Sequence, residues 1–147
     1  MDEAAISRYI TETFDGVETI TVDDNIFYFY GPEHKFPFAT LMTNDDNDNA
    51  SALNRPGIFR LNIGVGKPTF RALIGASSPT PGADNADTNA YDFTALDRLL
   101  PHPVYGRMFW VCVLNPSAAT FATTVRPLLA EAYELVVGRR TRRAAHG

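Results

Sequence analysis

The stretch Met108 to Leu114, Met-Phe-Trp-Val-Cys-Val-Leu, holds no polar or charged side chain. In an extended chain successive side chains point to opposite sides. Met108, Trp110, Cys112 and Leu114 therefore share one side, and Phe109, Val111 and Val113 the other. Both sides are apolar, which describes a central strand covered on two faces. A stiff turn, Pro101-His102-Pro103-Val104-Tyr105-Gly106, precedes it. A helix follows, predicted to begin near Thr124 as amino cap with Pro127 in its first turn. Leu128, Leu129, Ala132, Leu135 and Val136 form its buried stripe, and Gly138 is expected to end it.

The rest of the chain supplies partners for that strand. Ile6, Tyr9, Ile10 and Phe14 recur at helical spacing and predict a helix from about Glu3 to Phe14. Glu18 to Val22 alternates as a half-buried strand, Asp23-Asp24-Asn25 suits a hairpin turn, and Ile26 to Tyr30 is a second strand. A third strand is expected from about Phe38 to Thr43, followed by a polar loop, Asn44 to Pro56. Ile58 to Val65 sets Phe59, Leu61, Ile63 and Val65 on one face, with Arg60, Asn62 and Gly64 on the other. Pro68 suits the first turn of a helix over Lys67 to Ile74, with Gly75 as its stop. Ala76 to Ala90, rich in Ser, Pro, Gly, Asp and Asn, reads as a mobile loop. Phe93 to Leu100 is read as a short helix stopped by the prolines. This order predicts an α+β domain, an antiparallel sheet of about five strands with helices packed on it.

With 147 residues the chain is expected to be one domain over 1–137 with a basic, disordered tail over 138–147. All 17 acidic residues precede Gly138, against 9 of the 13 basic ones. Such an acidic body repels phosphate backbones. A single cysteine, Cys112, leaves no internal disulfide framework and suits a reducing cytoplasm. No apolar run reaches the roughly 18 residues that span a bilayer, and Met1-Asp2-Glu3 is unlike a signal peptide's basic start. A cytoplasmic protein without membrane contact, monomeric or homodimeric, is the expectation.

Few residues offer chemistry. Asn44 to Asn49 has calcium-loop ligand types at Asp45, Asn47 and Asn49, but Ala50 and Pro56 stand where that loop needs glycine and glutamate. A solvated turn-forming loop is the better reading. His34, His102 and His146 lack metal-ligand spacing, so neither a metal nor a cofactor is expected. Gly64-Val65-Gly66-Lys67 fails the P-loop pattern. His102 stands between two prolines that orient its imidazole, with Tyr105 nearby. That pair suits acid–base work or ligand recognition. Equally, the ring could hydrogen-bond a neighbouring backbone and lock the turn. Arg60 and Asn62 share a strand face that the doubly apolar strand implies is partly covered. With Trp110, Tyr28 and Tyr30 they would suit a small anionic or polar ligand; alternatively Arg60 pairs with Asp45 or Asp97.

The element order and its wording resemble the MmcQ/YjbR-like group of small bacterial proteins. The likeness runs through Gly16-Val17-Glu18, Phe59-Arg60-Leu61-Asn62-Ile63 with its proline-led helix, Trp110-Val111-Cys112-Val113-Leu114, and Ala132-Tyr133-Glu134-Leu135-Val136-Val137. The chain is closer still to an actinobacterial branch of unknown function (DUF6194-like), marked by Arg-Leu-Asn-Ile-Gly-Val and Pro-His-Pro-Val-Tyr-Gly. The resemblance covers most of residues 1–137 outside the two long loops. It implies a CyaY-like α+β fold and raises DNA binding, which has been proposed for that group. Asn62 stands where the group often has a basic residue, and only Arg107 is basic beside the aromatic strand; both departures count against DNA.

Three functions follow as expectations. The first is a domain that binds a small polar or anionic molecule beside the sheet, with transformation of that molecule as the extended reading. His102 and Tyr105 would be its catalytic candidates, Arg60, Asn62 and Trp110 its ligand-binding residues, and His34 a peripheral one. The second is DNA binding. The third is a protein-interaction module docking through exposed Phe36 and Phe38.

Overall fold

Asp2 starts the first helix by accepting the Ala5 N–H at 2.8 Å, and Glu3 lies in the first turn, where the helix dipole favours a negative charge. In the computed structural model, which describes residues 1–46, 48–74 and 91–146, this helix, α1, spans Glu3–Thr13 and buries Ile6 and Ile10. Strands β1 (Val17–Val22) and β2 (Asn25–Tyr30) follow as a hairpin. Asp23 and Asp24 turn it with φ of 50° and 68°, the double left-handed geometry whose twist matches antiparallel strands. β3 (Ala39–Met42) and β4 (Arg60–Gly64) continue the meander. Helix α2 occupies Lys67–Ile74, as its sequence predicts. The stretch from Gly75 to Ala90, with its expected helix stop and mobile loop, lies outside the described residues.

The doubly apolar segment becomes β6 (Trp110–Leu114), buried inside the sheet. Six strands are present among the described residues, in the order β1-β2-β3-β4-β6-β5, and every neighbouring pair is antiparallel. The additional strand is β5 (Leu99–Pro101), which takes the last two residues of the stretch Phe93 to Leu100, expected to be a helix, and runs on into Pro101. The outer edge of β6 supplies hydrogen-bonding groups that a local helix cannot use. Asp97, with φ of 56°, redirects the chain and donates its N–H to the Leu114 carbonyl at 2.7 Å. Pro101, lacking an N–H, is tolerated because β5 is an edge. Met108 falls outside β6: Gly106–Met108 is a 3₁₀ turn, and Met108 is exposed.

The carboxy-terminal helix also differs from expectation. Its cap is Ser117, whose Oγ accepts the Thr120 N–H at 3.1 Å, not Thr124. One helical turn, α3 (Ala118–Thr120), runs into a π-helical turn (Phe121–Val125) and then α4 (Arg126–His146). Proline clashes with the carbonyl four residues before it. The widened turn just ahead of Pro127, closed by Arg126 N–H to Phe121 O, gives that ring room. The helix passes through Gly138, since an interior glycine costs only about 1 kcal/mol relative to alanine.

Helices cover one sheet face. Ile6, Ile10, Leu61, Ile63, Val111, Val113, Val125 and Leu129 form the main core there, each worth about 1.5–3 kcal/mol when fully buried. Tyr28 joins them, so it faces away from the second face on which a ligand pocket was expected. Phe38 is buried too, its ring 6.2 Å from Phe14 and 5.8 Å from Tyr133. It is unavailable for the docking role expected of it, whereas Phe36 is exposed.

Candidate functional site

Because β4 alternates, sending Leu61 and Ile63 into the core sends Arg60 and Asn62 to the opposite face. Register places Asn62 between Thr40 of β3 and Cys112 of β6, and Arg60 between Met42 and Leu114. On the far side of β6, Leu100 pairs with Cys112. His102, two residues later and of the same parity, is fixed beside Trp110 through its N–H to the Trp110 carbonyl at 2.9 Å. Strands from distant parts of the chain thus bring Arg60, Asn62, His102 and Trp110 onto one face.

The loop after β3 closes over that face. Far from being a solvated run of turns, it buries Ser51 completely and packs Leu53 with Met42 and Leu114. Asp45 accepts the Leu53 N–H at 2.7 Å, and Asn44 and Asn25 tie the loop's start to the β1–β2 turn. Its central carboxylate, Asp48, reaches Arg60 in a two-pronged pair: Nη1 to Oδ1 at 2.9 Å and Nη2 to Oδ2 at 2.6 Å. Asp48, not Asp45 or Asp97, is the arginine's partner; Asp97 instead accepts the Ser117 N–H.

Arg60 is only 1% exposed, and its donors are closely matched. Nη1 also donates to Ser51 Oγ at 3.0 Å, and Nε to Asn62 Oδ1 at 2.9 Å, while Asn62 Nδ2 donates to Thr40 Oγ1 at 2.9 Å. Nη2 lies 3.4 Å from His102 Nε2. Desolvation opposes the Asp48 carboxylate's charge, but the Arg60 guanidinium outweighs it and holds the group below the usual aspartate range.

His102 is 5% exposed and does lock its turn. Nδ1 accepts the backbone N–H groups of Val104 and Tyr105, both at 3.0 Å. Burial, and next the neighbouring Arg60, push the imidazole down to about 3. It is neutral near pH 7, and a base that weak is a poor proton carrier there. Beneath it Cys112 is buried against the Pro101 carbonyl, and burial pushes its thiol up to about 12; no nucleophile is available from that position.

Trp110 is half-buried and lies across Gly64; a Cβ there would sit 2.8 Å from the indole Cε2. Tyr105 is 52% exposed, its ring 5.0 Å from that of His102, so it stands at the rim. His34 is apart from the cluster, near β1 and β2, with Nε2 2.9 Å from Glu18 Oε1 and its ring 5.3 Å from Phe29.

Sequence reasoning passed over Asp48, Ser51 and Thr40. Thr40 carried a usable signal, being the polar residue between Ala39 and Leu41 and so on the side opposite them. Asp48 carried none, as six neighbouring Asp and Asn residues are equivalent until the loop's path is known. Among the described residues no group of three or more His, Cys, Asp or Glu side chains is arranged to hold a metal ion, and no helix is long and apolar enough to cross a membrane.

The fold and this site define an α+β domain with an open antiparallel sheet, helices on one face, and a charge-paired polar cluster under a loop on the other. Over residues 1–145 the chain matches a family of unknown function, DUF6194, and it belongs to that family. No curated protein and no solved structure matches it.

Proposed function

We propose that this protein binds a small polar or anionic molecule at the face formed by Arg60, Asn62 and His102, with Trp110 and Tyr105 flanking it. The observation that carries the reading is the meeting of Arg60 and His102, 42 residues apart in sequence, at 3.4 Å in a buried setting. A guanidinium withdrawn from water recognises an oxyanion far more strongly than an exposed one does. The low basicity of His102 favours recognition over proton transfer, so binding, not turnover, is the activity assigned. The proposal places the protein in the cytoplasm, in keeping with a single, buried cysteine that has no disulfide partner in the chain. Kinship with MmcQ/YjbR-like proteins belongs to the same proposal and rests on the shared order of elements and on the strand and turn wording around Arg60 and His102.

The test is a thermal-shift and calorimetric panel of small carboxylates and phosphate esters. The comparison is a double variant, Arg60→Met with Asp48→Leu, that keeps the volume and removes both charges. Stabilisation of the native protein that disappears in the double variant is expected. Equal responses from both proteins, or none from either, would overturn the reading. A shift of duplex DNA at low salt by the intact protein would favour the DNA-binding alternative instead.

A further inference from the structure

We infer that the Asp48 carboxylate stands in for a ligand's oxyanion, and that the ligand group is a tetrahedral oxyanion of the phosphate type, whose third oxygen meets His102. This rests on the anion-binding reading above and narrows it.

The cluster's members differ in how they are held. Arg60, Asn62 and Thr40 project from β4 and β3, and His102 is fixed by β6 and its own turn. Asp48 alone supplies the negative charge, and it comes from a loop whose carboxylate end is the most exposed part of the pair, 13% against 1% for Arg60. A guanidinium and an imidazole held on the sheet are thus met by an acceptor that arrives on a loop and keeps its carboxylate partly open to water, the arrangement expected where an internal group occupies a place that a ligand can take.

The hydrogen positions show what that acceptor leaves undone. Nδ1 of His102 receives two backbone N–H groups, so it carries no proton. A neutral imidazole must then bear its hydrogen on Nε2. Among the described residues, the atom set against Nε2 is Arg60 Nη2, itself a donor, at 3.4 Å. Two donors face one another with no acceptor between them. Asp48 has two oxygens, and both are engaged by the guanidinium fork. A planar carboxylate in that position offers no third oxygen to the imidazole. A tetrahedral oxyanion on the same fork does, because its further oxygens lie out of the fork's plane. The two groups that face one another here are both donors, so an amine or a cation gains nothing between them.

The test removes the internal group. Asp48→Ala is titrated with inorganic phosphate, sulfate, acetate and chloride at matched ionic strength, following melting temperature and heat of binding. Phosphate should bind about tenfold more tightly than acetate, the step made by one further hydrogen bond to a charged group. The advantage should vanish in Asp48→Ala/His102→Asn, whose amide oxygen can keep the turn's N–H groups bonded but which lacks the Nε2–H. Acetate binding as well as phosphate would overturn this inference and leave the anion-binding reading standing. No response to any anion from a folded variant would overturn both. Should the alanine variant not fold, Asp48→Asn, which keeps one oxygen for the guanidinium, takes its place. Independently, ¹H–¹⁵N NMR of the native protein must find the His102 proton on Nε2, and a proton on Nδ1 would refute the argument at its root.

Discussion

A buried arginine with a carboxylate against it adds little as a pair, because desolvating both charges offsets their attraction. Breaking it is another matter. Arg60→Met alone leaves the Asp48 charge beside an apolar side chain, with its two strongest hydrogen bonds gone. We expect a loss of about 3–5 kcal/mol in denaturant unfolding, most of it recovered when Asp48→Leu is added. A single-variant loss below about 1 kcal/mol would show that the pair is solvated in solution. Gly64 poses a steric question of the same scale. Alanine would place a methyl 2.8 Å from the Trp110 ring, so either the indole or the strand must move. We expect Gly64→Ala to cost about 1–3 kcal/mol and to shift the tryptophan emission, since Trp110 is the sole tryptophan. An unchanged spectrum would mean that the ring is not held over β4. Gly64 was legible as a strand residue, but the reason for its being glycine was not, as it lies on a neighbouring strand.

Elements whose pattern is set by their own residues were readable in advance. β4 and its two faces, α1, α2 and the β1–β2 hairpin all follow from periodicity and turn chemistry. The hairpin offers a direct check. Asp24, at φ of 68°, sits in a region that costs residues with a Cβ about 1–2 kcal/mol. Asp24→Gly should therefore stabilise by up to about 1 kcal/mol in chemical denaturation, and destabilisation would argue against the left-handed turn. Elements shaped by neighbours were not readable. β5 was mistaken for a helix because its reason for being extended is the edge of β6. The loop between β3 and β4 was mistaken for solvated chain because its polar residues bond to parts of the protein far along the sequence. Leu53, its apolar anchor, tests that correction. Leu53→Ala should cost about 2–5 kcal/mol and raise hydrogen exchange at Ser51 and Leu53; a neutral effect would mean the loop is not packed.

At the scale of the whole molecule, His102 and Asp48 link stability to pH with the same sign. The folded imidazole, at about 3, lies below its ordinary 6.5. Between those values the unfolded chain binds the extra proton, so stability is full above about pH 6.5 and declines as pH falls toward 3. The slope from this one residue approaches about 1.4 kcal/mol per pH unit. Asp48, held below 3.8 chiefly by Arg60 against its own desolvation, adds stability that is present above that value and lost as acid protonates it in the folded state. We expect a melting temperature that falls steadily below pH 6.5, and a shallower fall between pH 6 and 4 in His102→Asn. Parallel profiles for the two proteins would show that the ring is not buried neutral. The sequence by itself determined the class of fold, the covered strand, the face shared by Arg60 and Asn62 and the stiffness of the His102 turn, because period-two alternation and proline geometry act within a few residues. Only the tertiary structure decided that Asp48 closes the site, that His102 meets Arg60 and that His34 does not, because those pairings depend on strand order and on the path of a loop, which no local pattern encodes.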